Sequence, residues 1–184
     1  LLVGDMAQPR GGPMITGHWS HQLGLDADIW LTPMPNRELT RKEREEMMAT
    51  NVVADDWMDV NPKVWSPTYV ALYKMVAQQP GVERVLANAA IKKALCRDAK
   101  GDRSWLHKIR PVPGHNYHFH IRIGCPSDSP GCQSQTPPPH DEGCGKDLDW
   151  WFSKAVREPK PPGKSKPILM SALPAACRQI LASP

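Results

Sequence analysis

Five of the seven histidines in this 184-residue chain fall in two short stretches, Gly17-His18-Trp19-Ser20-His21 and His115-Asn116-Tyr117-His118-Phe119-His120. Imidazole titrates near neutrality and its unprotonated nitrogen binds metal ions, so such clusters offer proton transfer or metal ligation. Residues two apart on a strand project from one face, so His118 and His120 would point together into one site. The first stretch continues through Gln22-Leu23-Gly24-Leu25-Asp26-Ala27-Asp28. This places a carboxylate seven positions after His21, with Gly24 able to make a sharp turn between them. Two His and one Asp, with a fourth position left for water, make a catalytic zinc shell with Zn–N near 2.0–2.1 Å and Zn–O about 2.0–2.2 Å. Asp26 shares strand parity with Asp28 and either orients a ligand histidine or sits solvated at a strand end. The isolated His107 and His140 read as ordinary structural residues.

The elements that must position these groups follow from periodicity and punctuation. Tyr117 to Ile123 alternates polar and apolar residues, the pattern of a half-buried strand with one face left for chemistry. Residues 1 to 36 read as strand and loop rich in Gly and Pro, with Leu1 to Gly4 a strand already under way. Glu38 to Thr50 is a charged, helix-favouring segment whose run to Glu46 reads as a solvated face. Ser66 as N-cap with Pro67 at the first helical position opens a core helix, with Tyr69, Val70, Leu72, Tyr73 and Val76 on its apolar face and Pro80-Gly81 at its end. A buried strand is expected over Val82 to Asn88, a helix over Ala89 to Ala99, and a short helix from Arg103 to Ile109 before Pro111. Beyond Gly124 come a Cys/Pro loop, a helix around Leu148 to Val156, a Lys/Pro linker from Glu158 to Pro167, and a last helix around Cys177 to Leu181 that docks on the body. The predicted fold class is α+β: a small, mostly antiparallel sheet carrying the metal ligands, helices on one side, and a Cys/Pro-rich loop region. One domain is expected over 1–156, followed by a linker and short C-terminal helix over 157–184.

Composition bounds the function. Hydrophobic residues are 40% and charged residues 23%, with seven Trp and eight Met, enough apolar surface for a real core and too much for global disorder. Nine of the twenty prolines lie between Pro126 and Pro167, which makes that part loop-rich. No window reaches the roughly 18 unbroken apolar residues of a membrane span. The net charge of +4 is a mild bias toward anionic polymers. No Lys/Arg run with interleaved aromatics accompanies it, so nucleic acid is not an expected partner. Cysteines stand at 96, 125, 132, 144 and 177 without a CxxC pair, which argues against a zinc ribbon. Three of them lie in Pro/Gly-rich loop sequence, so disulfides in an oxidising compartment are the better reading, with one thiol left over. Neither SxxK nor GxSxG occurs, so no serine-nucleophile motif competes with the histidines. Because the first residue is Leu1, the chain reads as a fragment or processed product.

His21 with Asp28, followed by His118-Phe119-His120, resembles the HxxxxxxD…HxH signature of zinc peptidases of the lysostaphin, D-Ala-D-Ala and hedgehog-like group. More closely, Gly4-Asp5-Met6, the run from Gly17 to Asp28, Asn88-Ala89-Ala90-Ile91-Lys92-Lys93-Ala94-Leu95-Cys96 and the cysteine pattern resemble the penicillin-insensitive murein endopeptidases, from Leu1 to about Trp151. The resemblance implies that His21, Asp28 and His120 ligate zinc, that His118 stands beside the ion as general base, and that His115 lines the same cleft as a second catalytic residue. It also implies a second-cation or cleft position for His18 with Asp56, in a family whose pattern sometimes has histidine where this chain has Asp59. Its disulfides would be Cys96 with Cys144 and Cys125 with Cys132, and Cys177 would pair with a residue upstream of the fragment.

The implied reaction is hydrolysis of D-alanyl–diaminopimelate cross-links between peptidoglycan stem peptides in the periplasm. Penicillin would not inhibit it, since β-lactams acylate an active-site serine and none is used. Arg122, on the strand face of the histidines, is expected to attract a stem-peptide carboxylate, and Trp19 to contact substrate. The tryptophans at 57, 65, 105, 150 and 151 read as core or cleft wall. Two rival readings stand beside this one: a murein carboxypeptidase on the same scaffold, and a non-catalytic zinc-stabilised module that binds cell wall.

Overall fold

The computed structural model describes residues 1–14, 19–158 and 169–182, with Trp19 described by its backbone alone. His18, the Trp19 side chain and nearly all of the expected Lys/Pro linker lie outside the described residues. In chain order the elements are β1 (Asp26–Trp30), α1 (Arg41–Glu46), α2 (Pro67–Ala77), β2 (Val82–Ala87), α3 (Ala89–Asp98), β3 (Ile109–Pro111), β4 (His118–Ile123), α4 (Lys146–Trp150), α5 (Lys154–Arg157) and α6 (Ala175–Ala182). Short 3₁₀ turns at Trp19–Leu23, Ser104–Lys108 and Met170–Ala172 complete the list.

The strands form one sheet in the order β1-β4-β2-β3, antiparallel except for the parallel pair β2/β3, which is joined by α3 and the 3₁₀ turn after it. This is the α+β arrangement, with a mostly antiparallel sheet, that the sequence predicts. One sheet face supplies Ile29, Val85, Ala87 and Phe119 to the core, where they meet Tyr73, Ile91, Leu95 and Leu106 from the helical layer. Tyr73 and Phe119, both fully buried, bring their rings to 4.6 Å. By the two-residue alternation of strands, the opposite face presents Asp26 and Asp28 of β1, and His118, His120 and Arg122 of β4.

The helices begin where local chemistry allows. Pro67 opens α2 after Ser66, and the Asn88 side chain caps α3 by accepting from the Ala90 N–H. Thr40 and Glu43 form a reciprocal capping box on α1. That helix runs only to Glu46, short of the Thr50 expected from propensity. Thr50 N–H donates to Thr32 Oγ1 at 2.7 Å and Val52 N–H to the Asn116 carbonyl at 2.9 Å, so tertiary hydrogen bonds pull the segment extended. The expected helix around Leu148 to Val156 is instead two, α4 and α5. The chain turns between them with Phe152 and Ser153 N–H groups bonding back three residues, while Phe152 packs against the core.

β3 was not expected at all, because three residues ending in proline carry no readable alternation. Proline is tolerated there because β3 is an edge strand. The start of the chain is extended and joins β1 at the Val3–Ile29 bridge, with Gly4 N–H donating to Asp28 O, Asp28 N–H to Asp5 O and Trp30 N–H to Leu2 O, without forming a full strand of its own. The last helix, expected to dock, buries none of its residues; Arg10 reaches the carbonyls of Ile180 and Leu181 at 3.4 Å.

Disulfides join Cys96 to Cys144 and Cys125 to Cys132, and Cys177 is a free thiol among the described residues. The first ties α3 to the loop before α4 across a separation of 48 residues, and the second closes a separation of 7. Beside the first bridge, Lys92 is buried completely inside α3's packed face, where its ammonium donates to the carbonyls of Leu106 at 2.7 Å and Glu142 at 2.5 Å. Burial, with Arg110 nearby, pushes this lysine down to about 7.

Two outcomes follow. Chain-entropy estimates give about 4 kcal/mol for the long loop and about 2.5 kcal/mol for the short one. Urea unfolding should therefore show Cys96→Ser/Cys144→Ser losing more stability than Cys125→Ser/Cys132→Ser. For Lys92, an unfolded lysine stays protonated to about pH 10.4, so between about pH 7 and that value the unfolded chain holds a proton that the folded chain has released. Stability from this group is full above that window and falls as pH drops through it. Relative to Lys92→Met, the parent chain should gain about 2 kcal/mol between about pH 7 and pH 9, and parallel pH profiles would refute this.

Candidate metal centre

His21 lies in the 3₁₀ turn Trp19–Leu23, and Gly24, at φ +72°, reverses the chain into β1. Glycine adopts that backbone without steric cost. Asp28 of β1 stands directly across from His120 of β4 in the antiparallel register. His21 Nε2 and His120 Nε2 come within 3.0 Å and 2.9 Å of Asp28 Oδ1. All three side chains are buried, His21 completely.

The outer nitrogens fix how the rings face. His21 Nδ1 lies 3.3 Å from the Asp26 carbonyl, which can only accept, so that nitrogen carries the proton and Nε2 turns its lone pair toward Asp28. His120 Nδ1 is 2.9 Å from Ser20 Oγ, leaving its Nε2 toward the same carboxylate. Such outer hydrogen bonds set tautomer and ring orientation in histidine metal sites. Acceptor atoms this close to one another repel unless a proton or a cation lies between them. Two imidazole nitrogens and a carboxylate oxygen, grouped within 4.8 Å, are a donor set that suits zinc. Burial alone would raise the Asp28 carboxyl, but the His120 hydrogen bond and the nearby His118 and His21 outweigh it and hold it below the usual carboxylate range.

His118 stands beside this cluster, its Nε2 3.2 Å from His120 Nε2 and 3.7 Å from Asp28 Oδ2. The His115 ring is 4.9 Å from that of His118 and 4.4 Å from that of His120, and with these two it makes a second group able to hold an ion. His115 adopts φ +55°, a strained backbone for a non-glycine residue. Its Nδ1 is 2.6 Å from the Pro113 carbonyl, while Asn88 bonds both to the His115 carbonyl through its N–H and to the Gly114 carbonyl through its amide. The cap of α3 thus also holds the loop that carries His115.

The remaining expected residues are placed elsewhere. Asp56 caps a turn by accepting from Met58 N–H and lines a cavity of about 350 Å³ with Trp57, Asn88 and Gly114. It belongs to neither donor group found among the described residues. Asp59 is paired with Lys93 and Arg97. Arg122, expected to attract a carboxylate, is buried, forks onto Asp26 and donates to the Ser20 carbonyl. Asp26 therefore serves His21 through its backbone carbonyl, its carboxylate being given to Arg122. Ser20 and Asn88 were missed as contributors. Ser20's place between two histidines was the one available signal, and nothing local marks Asn88 as more than a helix cap.

A family model described as penicillin-insensitive murein endopeptidase matches residues 1–182. The chain belongs to that family. It is a metallopeptidase family, which accords with the His/Asp donor groups found here. Curated relatives bearing the same name are 45% identical in Haemophilus influenzae, 43% in Yersinia enterocolitica and 42% in Klebsiella pneumoniae. The matches cover 100%, 98% and 98% of this chain and 63%, 64% and 65% of the relatives, so the chain spans just under two thirds of their length.

Removing one member of a buried ion pair costs about 3–5 kcal/mol, because the other charge is left without compensation. Asp26→Ala and Arg122→Met should each lose stability in that range, and the double variant should lose less than the sum. Additive losses in denaturant unfolding would mean that the pair is not coupled.

Proposed function

We propose that this chain is a zinc-dependent murein endopeptidase that hydrolyses D-alanyl–diaminopimelate cross-links between stem peptides in the periplasm. The observation that carries the reading is the convergence of His21, Asp28 and His120 on one buried point, with His118 alongside but farther from the carboxylate. The relatives' name supports the substrate class, and two disulfides suit an oxidising compartment.

His21 Nε2, Asp28 Oδ1 and His120 Nε2 would hold the zinc. When bound, the ion supplies a Lewis acid that stabilises negative charge developing on the scissile carbonyl and favours ionisation of water. The chain's own part is positional. His118, as a neutral imidazole at the rim of the cluster, takes the proton of the attacking water and passes it to the leaving amine. His115, fixed by Pro113 and Asn88, walls that side of the cleft and limits the rotation of His118 and His120. A murein carboxypeptidase and a non-catalytic wall-binding module predict different products, and mass analysis of muropeptide dimers and monomers, with and without chelator, separates all three.

Side-chain roles separate in the same assay. His21→Ala and His120→Ala should lose both bound zinc and hydrolysis. His118→Ala should keep near-normal zinc while turnover falls roughly 10²–10⁴-fold, the usual worth of a positioned base. Loss of metal from the His118 variant to the same extent as from His120→Ala would reassign His118 as a ligand.

A further inference from the structure

The face that carries the cluster also carries a guanidinium the mechanism does not use. Arg84 of β2 lies opposite Arg122 of β4, and Leu86 lies opposite His120. Diagonal neighbours in an antiparallel pair are about 7–8 Å apart, so Arg84 is one diagonal step from His120. The register shifts between Val82 and Arg84. Residues two apart share a face in a regular strand, yet Val82 is in the core while Arg84 lines a cavity with Leu86 and Arg122. This irregularity turns Arg84 onto the site face, a recurrent use of bulges beside active sites.

The two guanidinium groups differ in how they are neutralised. Arg122 has Asp26. Arg84 makes no ion pair among the described residues: an Nη donates to the Thr136 carbonyl, and Nε is buried with no hydrogen-bond partner. The cavity is about 430 Å³ and is lined by Ser20, Leu23, Arg84, Leu86, Arg122 and Gln135, without a carboxylate. Ser20 is also the residue bonded to His120, so this space adjoins the cluster. A guanidinium in a cavity that two leucines and a second guanidinium also line is stabilised by an anion, and its planar fork matches a carboxylate.

We propose that this cavity is a carboxylate subsite in which Arg84 receives the free carboxylate that diaminopimelate carries on the carbon bearing the cross-link nitrogen. The inference rests on the murein reading and deepens it. Arg84 takes the part that sequence parity assigned to Arg122, and it selects substrates by the charge next to the scissile bond. A carboxylate on the leaving residue lies within one residue of that bond, a span that one diagonal step and an arginine side chain cover.

The test compares a cross-linked muropeptide dimer with the same dimer amidated at that diaminopimelate carboxylate, using the zinc-loaded chain and Arg84→Gln. Hydrogen bonds to charged groups suggest that amidation lowers parent kcat/KM roughly 10- to 100-fold. Arg84→Gln should lose a similar factor on the free dimer and show no further loss on the amidated one, at unchanged zinc content. Binding of the two dimers to metal-stripped parent chain should show the same preference without turnover. A parent chain that cleaves both dimers equally, or an Arg84→Gln variant that still discriminates between them, overturns the subsite alone. A parent chain that cleaves neither overturns the murein reading and the subsite with it.

Discussion

The pairing of Asp28 with His120 across β1 and β4 is the constraint on which the candidate metal centre depends. A slip of one residue would send every side chain of a strand to the other face. The register is pinned from behind, because Ile29 and Phe119 pair in the same ladder and enter the core, where Phe119 meets Tyr73. The apolar residues between Asp28 and the histidines are therefore what aims those side chains. Arg122 and Asp26, also paired in this ladder, lock the two strands a second time on the opposite face.

Around this ladder, backbone carbonyls do much of the orienting. Asp26 turns His21, Pro113 turns His115, and Asn88 holds the carbonyls of Gly114 and His115. A carbonyl can only accept, so it settles which imidazole nitrogen is protonated with no ambiguity of its own. Such control depends on where the chain runs and little on side-chain identity.

That distinction explains how much of the molecule could be read from its sequence. β4 and the shared face of His118 and His120 were legible because alternation is a local property, and α2 and α3 because their caps and apolar faces are local too. The convergence of His21, Asp28 and His120 was legible from residue types and spacing together with family resemblance. Arg122 was read on the correct face, yet its role depended on Asp26 across the ladder, a contact 96 residues away. Arg84 was invisible for a related reason: regular alternation puts it on the face of Val82, and the shift in pairing that reverses this is set by the neighbouring strand. α1 ended early, and the helix expected near Leu148 split, where tertiary contacts outweighed propensity.

The two borders of the sheet have a consequence for how this chain behaves among copies of itself. Unpaired strand edges are templates for intermolecular pairing and aggregation. Here the outer side of β1 is occupied by Leu2, Gly4 and Asp5, whose backbone groups bond to Trp30 and Asp28. On the far side β3 is three residues long and ends in Pro111, which has no N–H to offer a further strand. Among the described residues neither border therefore offers a long unpaired strand: the β1 margin is covered by the first residues of the chain and the β3 margin is three residues ending in proline, which limits the template that neighbouring copies could extend.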